Sequence, residues 1–485
     1  MRVSRLILIA GLGTGLAGCM MGPNYERPPV PTPAGFRTTD SAAVADSAAL
    51  ADSALSLADA PWWELFQDTV LQELIREALV GNYDLRAAAA RVDEYRALIG
   101  VAKADLYPQI DASAGASYRQ RSVSEEGGTG DKRYGSFRAD VGLSWELDLW
   151  GRVRRQGEAA TARFWATEQA RRGIVQGLVA TVAQAYINLR ELDLELEVAR
   201  RTLDIRQGTL TLFRQRMEGG VASQLEVSQA AADVASTEAA IADLERRIPA
   251  QENLINFLIG QGPGPIARGA TLSEQYLPPE VPAGLPSTLL ERRPDVLEAE
   301  EALIAANADI GAAKASMFPT ISLTGLLGIA TRALSDATSQ DAVFWSAGGG
   351  VLAPIFYGGR LRKNYQATIA RTDQATALYY KAAMNAFRET ADALVDVQKS
   401  REIRAAAERG VTELREAARL ALIRYDGGLS SYLEVLDADR QLFAAENELA
   451  RVMGFQVNTY VNLYRALGGG WNADALAQQA DSTGG

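Results

Sequence analysis

The chain has 485 residues, a formal net charge of -11, a single cysteine and no histidine. Its acidic balance, with no basic stripe, argues against nucleic acid as a partner. The missing histidine removes the commonest general base and metal ligand, and one cysteine leaves neither a disulfide framework nor a thiolate metal cluster.

At the start of the chain, Arg2 and Arg5 precede an apolar run from Leu6 to Ala10 and the small-residue stretch Leu16-Ala17-Gly18-Cys19. A charged start, a short apolar segment and small residues make a secretory signal peptide over residues 1–18. A cysteine directly after Leu-Ala-Gly is a bacterial lipobox, so Cys19 is expected to be acylated and to become the mature N-terminus. A plain signal peptide with an incidental cysteine is the alternative. Residues 19–60 then read as an anchored, extended segment. Pro23 to Pro31 is too proline-rich for helix or inner strand, and the Ala/Asp/Ser run at 40–60 is too poor in bulky apolar residues to pack. Order is expected from Pro61-Trp62-Trp63, followed by helical spacing at Leu71, Leu74, Ile75 and Leu79.

From there the chain is a tandem duplication, with a first repeat over 61–262, a Gly/Pro-rich linker over 263–286, a second repeat over 287–470 and a tail over 471–485. Lys103-Ala104-Asp105-Leu106-Tyr107-Pro108 matches Lys314-Ala315-Ser316-Met317-Phe318-Pro319, and Gly151-Arg152 matches Gly359-Arg360. Each repeat carries two runs of period-two alternation, near 109–121 and 134–149, then near 319–331 and 343–354. The apolar sides hold Ile110, Ala112, Phe137, Val141 and Trp145 in the first, and Ile321, Leu323, Leu327 and Trp345 in the second. A half-buried sheet of a soluble domain would also alternate. Strands of about 10 residues with aromatics near their ends instead suit a tilted membrane strand.

A long helix follows each strand pair, near 153–217 and 361–425, each about 97 Å at 1.5 Å per residue. Leu192, Leu196, Ala199, Leu203, Leu210, Phe213 and Met217 keep the three-and-four spacing of a coiled-coil seam, as do Val411, Leu414, Ala418, Leu422 and Tyr425. Each long helix ends at a double glycine, and a shorter helix restarts near 224–260 and 432–467. The two tips are Gly219-Gly220-Val221-Ala222 and Gly427-Gly428-Leu429-Ser430. Glycine accepts the left-handed turn that ends a helix. Ser223 with Glu226, and Ser431 with Glu434, have the spacing of a capping box. Between the repeats, Pro294 is placed to open a helix.

Four membrane strands cannot close a barrel, and an open edge in lipid is prohibitively costly. Two chains would give eight strands, a barrel filled by its own side chains, whereas three give twelve and leave a lumen. The expected fold is therefore mostly α with a membrane β-barrel: long coiled-coil hairpins in tandem repeat, plus four strands per chain in a trimeric twelve-stranded barrel.

With these features the sequence resembles the TolC-like outer membrane factors, in particular the OprM/NodT-type efflux lipoproteins. The resemblance covers nearly the whole mature chain. It rests on the Cys19 lipobox, the segment Pro23 to Pro28, Glu291-Arg292-Arg293-Pro294-Asp295, the duplicated tips, and Ala466-Leu467-Gly468-Gly469-Gly470-Trp471. It implies a homotrimeric exit duct in the outer membrane that extends into the periplasm, without enzymatic activity or cofactor. It also implies two partners, a periplasmic adaptor and an inner-membrane pump of the resistance-nodulation-division type. The tips would dock the adaptor's own hairpin tips. By the same resemblance, Leu433, Asp437 and Arg440, with Glu434 as a weaker candidate, would constrict the periplasmic mouth. They would do so as an apolar collar and a carboxylate ring whose repulsion Arg440 offsets, while Glu434 also suits the capping box.

Other readings are a duct for a metal-efflux or type I protein-secretion system and, from different classes, a periplasmic coiled-coil adaptor or a glycosidase. An adaptor usually carries one hairpin between compact β-domains that the sequence does not show. A glycosidase needs two acids across a cleft, whereas the acids here lie mostly on helices.

Overall fold

The computed structural model describes residues 20–33, 36, 67–120, 133–275 and 290–469. Cys19, the leader, the Ala/Asp/Ser run, Trp62, Trp63, Trp471 and the tail lie outside the described residues. The elements are α1 (Thr69–Gly81), α2 (Tyr83–Ala104), β1 (Gln109–Gln120), β2 (Arg133–Leu147), α3 (Arg152–Glu218), α4 (Gln224–Leu258), α5 (Pro294–Ala315), β3 (Thr320–Thr331), β4 (Val343–Leu352), α6 (Arg360–Asp426) and α7 (Tyr432–Ala466). They fall into two units. One joins Met1–Pro29, Arg91–Glu168 and Glu298–Tyr380; the other joins Val30–Ala90, Gln169–Leu297 and Lys381–Gly485.

The first unit holds the sheet, an antiparallel meander in the order β1-β2-β3-β4. The strands of the two repeats are thus joined edge to edge through β2 and β3, a pairing the repeat pattern alone did not define. Register converts the period-two alternation into one continuous face. Ile110 stands opposite Leu143, Ala112 opposite Val141, Val141 opposite Leu327, Leu327 opposite Trp345, and Trp145 opposite Leu323. A slip of one residue would invert every one of these pairs. The other face carries Asp111, Ser113, Arg138, Asp140, Glu146, Ser322 and Thr324. On it the Arg138 guanidinium donates to Asp140 at 2.6 Å and stacks over the Phe344 ring at 4.6 Å, while Ser113 Oγ donates to Asp140 at 3.1 Å.

The strand ends have local causes. β2 stops at Leu147 because the Asp148 carboxylate accepts the backbone N–H groups of Val153 (3.1 Å) and Arg154 (3.0 Å). That satisfies two orphan donors at the start of α3 and turns the chain out of the sheet. β4 ends at Leu352, short of Pro354, which has no N–H to give to a ladder.

Residues 20–29 form an extended strap within the same unit. Buried Arg155 donates to the Met21 carbonyl (3.1 Å) and to Asn24 Oδ1 (2.8 Å), and Asn307 donates to the Pro23 carbonyl (3.2 Å). Tyr25 and Arg27 both donate to Glu300, at 3.0 and 2.6 Å. The Tyr25 hydroxyl is pushed well above its usual range, first by burial and then by that carboxylate. Gly22 faces Gly311 so closely that a Cβ on Gly22 would sit 2.5 Å from the Gly311 Cα.

The second unit is helical. Leu71, Ile75 and Ala78 of α1 pack on Val179, Ala183 and Tyr186 of α3, on Ile255 of α4, and on Val457, Tyr460 and Tyr464 of α7. Asp68 caps α1, accepting from Val70 and Leu71 N–H, and also takes bonds from the Tyr186 hydroxyl (3.1 Å) and Gln275 (2.8 Å). α4 continues through Pro249, at the loss of one amide donor. The seam of α3 is continuous: Leu192 and Ala199 pack against Leu244, and Leu210 and Phe213 against Val227, Val234, Tyr432 and Leu436. On α6 the same spacing is only partly used. Val411 is buried and Tyr425 packs against Phe213 and Tyr432, but Leu422 between them is exposed beside Leu420 and Ile423.

Candidate functional site: the paired hairpin tips

The tips lie within the second unit, and their turns follow from backbone hydrogen bonding. At the end of α3, Gly219 N–H donates to the Gln215 carbonyl, Gly220 to Met217 and Val221 to Arg216. The end of α6 repeats the pattern with Gly427 to Ile423, Gly428 to Tyr425 and Leu429 to Arg424. In both, the second glycine carries the left-handed backbone, φ +75° at Gly220 and +69° at Gly428, where a side chain is strained. Around each of them the space is open. The turn therefore leaves Val221 (82% exposed) and Leu429 (76% exposed) projecting from the ends of the hairpins. Ala222 and Ser430 are half-buried, and the Ser430 Oγ has no hydrogen-bond partner among the described residues.

The helix restarts differ. Ser223 and Glu226 form the capping box: Glu226 N–H donates to Ser223 Oγ (3.3 Å) and Ser223 N–H donates to Glu226 Oε2 (2.7 Å). The Ser223 N–H holds the Glu226 carboxyl below its usual range, aided by the Tyr425 hydroxyl, which donates to it at 3.0 Å from the other hairpin. The expected second box is absent. Ser431 makes no side-chain cap, and Glu434 N–H turns back to the Ser431 carbonyl. The Glu434 carboxylate faces Arg424 at 3.9 Å instead, so the capping role assigned to Glu434 is corrected.

Leu433, Glu434, Asp437 and Arg440 all lie on the first turns of α7 and are exposed in the single chain, Leu433 by 61%. They do not bond to one another. Asp437 accepts from Gln441 (2.7 Å) on its own helix. Arg440 does not offset Asp437. Its Nε (2.9 Å) and Nη2 (2.7 Å) both go to Asp233 Oδ1 on α4, because a guanidinium one helical step past Asp439 points back at the first hairpin.

Several side chains that join the two hairpins were missed by sequence reasoning. Among them are Asp233, Arg206 with Asp439 (2.9 Å), Arg216 with Asp426 (3.0 Å), and Tyr432, which completes an aromatic trio with the seam residues Phe213 and Tyr425, ring centroids 4.3 to 5.9 Å apart. One signal was available. At the constant repeat offset, Asp439 and Arg440 replace Ala231 and Ala232, and Arg206 stands where the second repeat has Leu414. Charges that break a repeat mark what the two halves do not share.

The two resemblance segments at the far end of α7 form one cluster. Buried Arg293 donates to Asp295 (2.7 Å), to Glu389 (2.7 Å) and to the Ala466 carbonyl (3.1 Å), and Gly468, with φ +80°, packs against it.

The capping contrast is testable. Ser223→Ala should cost about 1 kcal/mol of stability, and Ser431→Ala much less, as read from thermal unfolding of the two variants. Equal losses would contradict the asymmetric caps.

The outer membrane efflux protein family model matches residues 74–261 and 285–469, one segment per repeat. The toluene efflux pump outer membrane protein TtgC of Pseudomonas putida is 37% identical over 466 residues, covering 94% of this chain and 93% of the relative. The cation efflux system protein CusC of Escherichia coli is 34% identical over 457 residues, covering 94% and 96%. Among solved structures, CusC superposes with a TM-score of 0.83 at 33% identity over 93% of this chain and 100% of that one. The open state of the Neisseria gonorrhoeae MtrE outer membrane channel gives 0.80 at 31% identity over 93% and 99%. With both repeats matched and relatives aligned over more than nine tenths of their length, the chain belongs to the outer membrane efflux protein family.

Proposed function

We propose that three copies of this chain form the exit duct of a tripartite efflux system, passing drugs or other small toxic compounds outward from an inner-membrane pump through a periplasmic adaptor. The observation that carries this reading is the four-stranded sheet. Its apolar face is continuous across all strands, and among the described residues β1 and β4 each end it on an unpaired edge. In lipid those edges need partners, and three copies supply twelve strands with a polar lumen. The apolar face, with Val141, Leu327 and Trp345, meets lipid. The exposed stretch of α6 at Leu420, Leu422 and Ile423 is covered by a neighbouring copy. TtgC is named for toluene and CusC for cations, so the duct architecture is compatible with either cargo, and selectivity rests with the pump. The gene for that pump, if adjacent, would assign the cargo.

Cys19 carries the lipid anchor in this reading. A single acyl chain binds membranes weakly, whereas several anchor stably. Mass spectrometry of the mature protein is expected to find a triacylated N-terminal Cys19, and an unmodified terminus at another residue would refute the anchor.

The tips Gly219-Gly220-Val221-Ala222 and Gly427-Gly428-Leu429-Ser430 dock the adaptor, six tips per trimer in a pseudo-sixfold ring. Open space over Gly220 and Gly428 admits a partner backbone closely, and Val221 and Leu429 offer apolar contact. Trp at Gly220 and Gly428 should weaken adaptor crosslinking and leave heat-stable trimers intact. Undiminished crosslinking would remove the tips from the interface.

Leu433 and Asp437, on one face of α7, narrow the periplasmic mouth, Leu433 as an apolar collar and Asp437 as a carboxylate ring. Glu434 is a weaker member, and Arg440 acts from the side through Asp233. In a planar bilayer, Leu433→Ala with Asp437→Ala should enlarge the resting current and lower cation preference. A double variant as closed and as cation-selective as the parent would place the constriction elsewhere.

A further inference from the structure

In the first unit, α2, α3 and α5 enclose a groove of about 440 Å³. The side on which it opens follows from the arginines at the start of α3. Arg152 pairs with Glu146 on the polar face of the sheet (2.9 Å). Residues two apart on a helix point about 200° apart, so Arg154 faces the opposite way. Glu158, Thr161 and Trp165, one, two and three turns further along, share its direction and line the groove with it. That is the side of the apolar sheet face. The end of the groove nearest the sheet touches this face directly, because the Leu106 carbonyl in its wall accepts the indole N–H of Trp145 (2.9 Å).

The floor is made of small residues, and a Cβ on Gly157 would sit 3.2 Å from Lys103 Cγ. Trp165, 44% exposed, stands at the far end. Two of the charged side chains in the walls are already engaged. Arg154 donates to the Asp148 carboxylate (3.2 Å) and carbonyl (2.9 Å), and Glu158 accepts from Arg155 (2.7 Å). Lys103 on α2 and Glu301 on α5 are not, since neither makes a hydrogen bond or ion pair among the described residues. Burial pushes the half-buried Glu301 carboxyl up to about 7, followed by the charge of Glu300, which Tyr25 and Arg27 occupy. A half-buried acid without a cation is costly, and Lys103 and Glu301 together ask for an anion and a cation side by side.

Their order along the groove narrows the ligand. Lys103 lies in the last turn of α2, next to the sheet, whereas Glu301 lies in the first half of α5, away from it. The anion is therefore nearer the membrane and the cation farther. A phospholipid carrying ethanolamine has that order, with its phosphate next to the glycerol and its ammonium beyond. We propose that this groove holds the phosphoethanolamine headgroup of a membrane phospholipid, with the phosphate on Lys103 and the ammonium on Glu301. The proposal rests on the reading of the sheet as part of a barrel whose apolar face meets lipid. A glycerol headgroup brings no cation to Glu301, and a choline headgroup brings one without an N–H to donate. Trp165 suits the same setting, since indole rings favour the membrane boundary.

The test uses full-length tagged trimers in detergent and a sodium buffer, with assembly read on a gel. They are incubated with micelles containing equal amounts of palmitoyl-oleoyl phosphatidylethanolamine and phosphatidylglycerol, then washed, and the retained lipid is extracted and quantified. Parent trimers should keep one phosphatidylethanolamine per protomer in preference to phosphatidylglycerol. Lys103→Gln and Glu301→Gln should each lower that retention about tenfold, the scale of one hydrogen bond to a charged group. Glu301→Gln should not lower the retention of phosphatidylglycerol. Between about pH 8 and about pH 6 the parent should lose phosphatidylethanolamine as Glu301 takes up a proton, and Glu301→Gln should lose this dependence. Equal retention of the two lipids, or a preference that survives both substitutions, would overturn the site. A neighbouring copy covering the groove would show itself as trimers with no preference, which overturns the site and leaves the duct standing. A chain that forms no trimer overturns both.

Discussion

The constraint on which the rest depends is that a backbone hydrogen-bonding group cannot be left bare in lipid. Among the described residues the sheet has four strands and two open edges, and its lipid-compatible face is apolar from Ile110 to Trp345, with its charge, Arg133, at the loop end of β2. Such a sheet is incomplete by itself, and association of several copies is built into its strand count. The demand passes down the chain. β2 turns straight into α3 under the Asp148 cap, so every sheet that joins the barrel brings a 67-residue helix with it. The second repeat does the same through α6, also 67 residues long. Equal helix lengths place the two tips of a chain at equivalent ends of equivalent hairpins.

Long helices raise a second problem, because propensity alone gives little stability and packing must supply the rest. The solution differs along α3. Near its middle, Val182, Ala183 and the ring of Tyr186 bury completely against α1, α4 and α7. Toward the tips the apolar seam thins to Phe213, Tyr425 and Tyr432, and charged pairs between the hairpins take over.

Much of this was legible in the sequence. Alternation at Phe137 to Leu147 and at Ile321 to Ile329 specified both strand and face, since period two has one structural meaning. The double glycines specified the tips because a left-handed backbone strains every residue with a Cβ. What stayed hidden depends on juxtaposition. The joining of β2 to β3, the pairing of Arg440 with Asp233 across 207 positions, and the clustering of Arg293 with Ala466 leave no local period. The second capping box shows the opposite error: Ser431 and Glu434 have the right spacing, but the Glu434 N–H bonds the Ser431 carbonyl and its carboxylate lies toward Arg424. Spacing states what a pair can do, and its neighbours decide what it does.

The divergence of the two repeats is itself informative. The first holds Ser223 and Glu226 in a closed box, with Tyr425 from the other hairpin bonded to the same carboxylate. The second lacks the side-chain cap and carries Asp437, Asp439 and Arg440 where the first has Gln229, Ala231 and Ala232. A helix without its cap frays more readily at its first turns, and those are the turns that carry the new charges. The same divergence thus removes a side-chain cap from the start of α7 and gives that turn partners on the first hairpin.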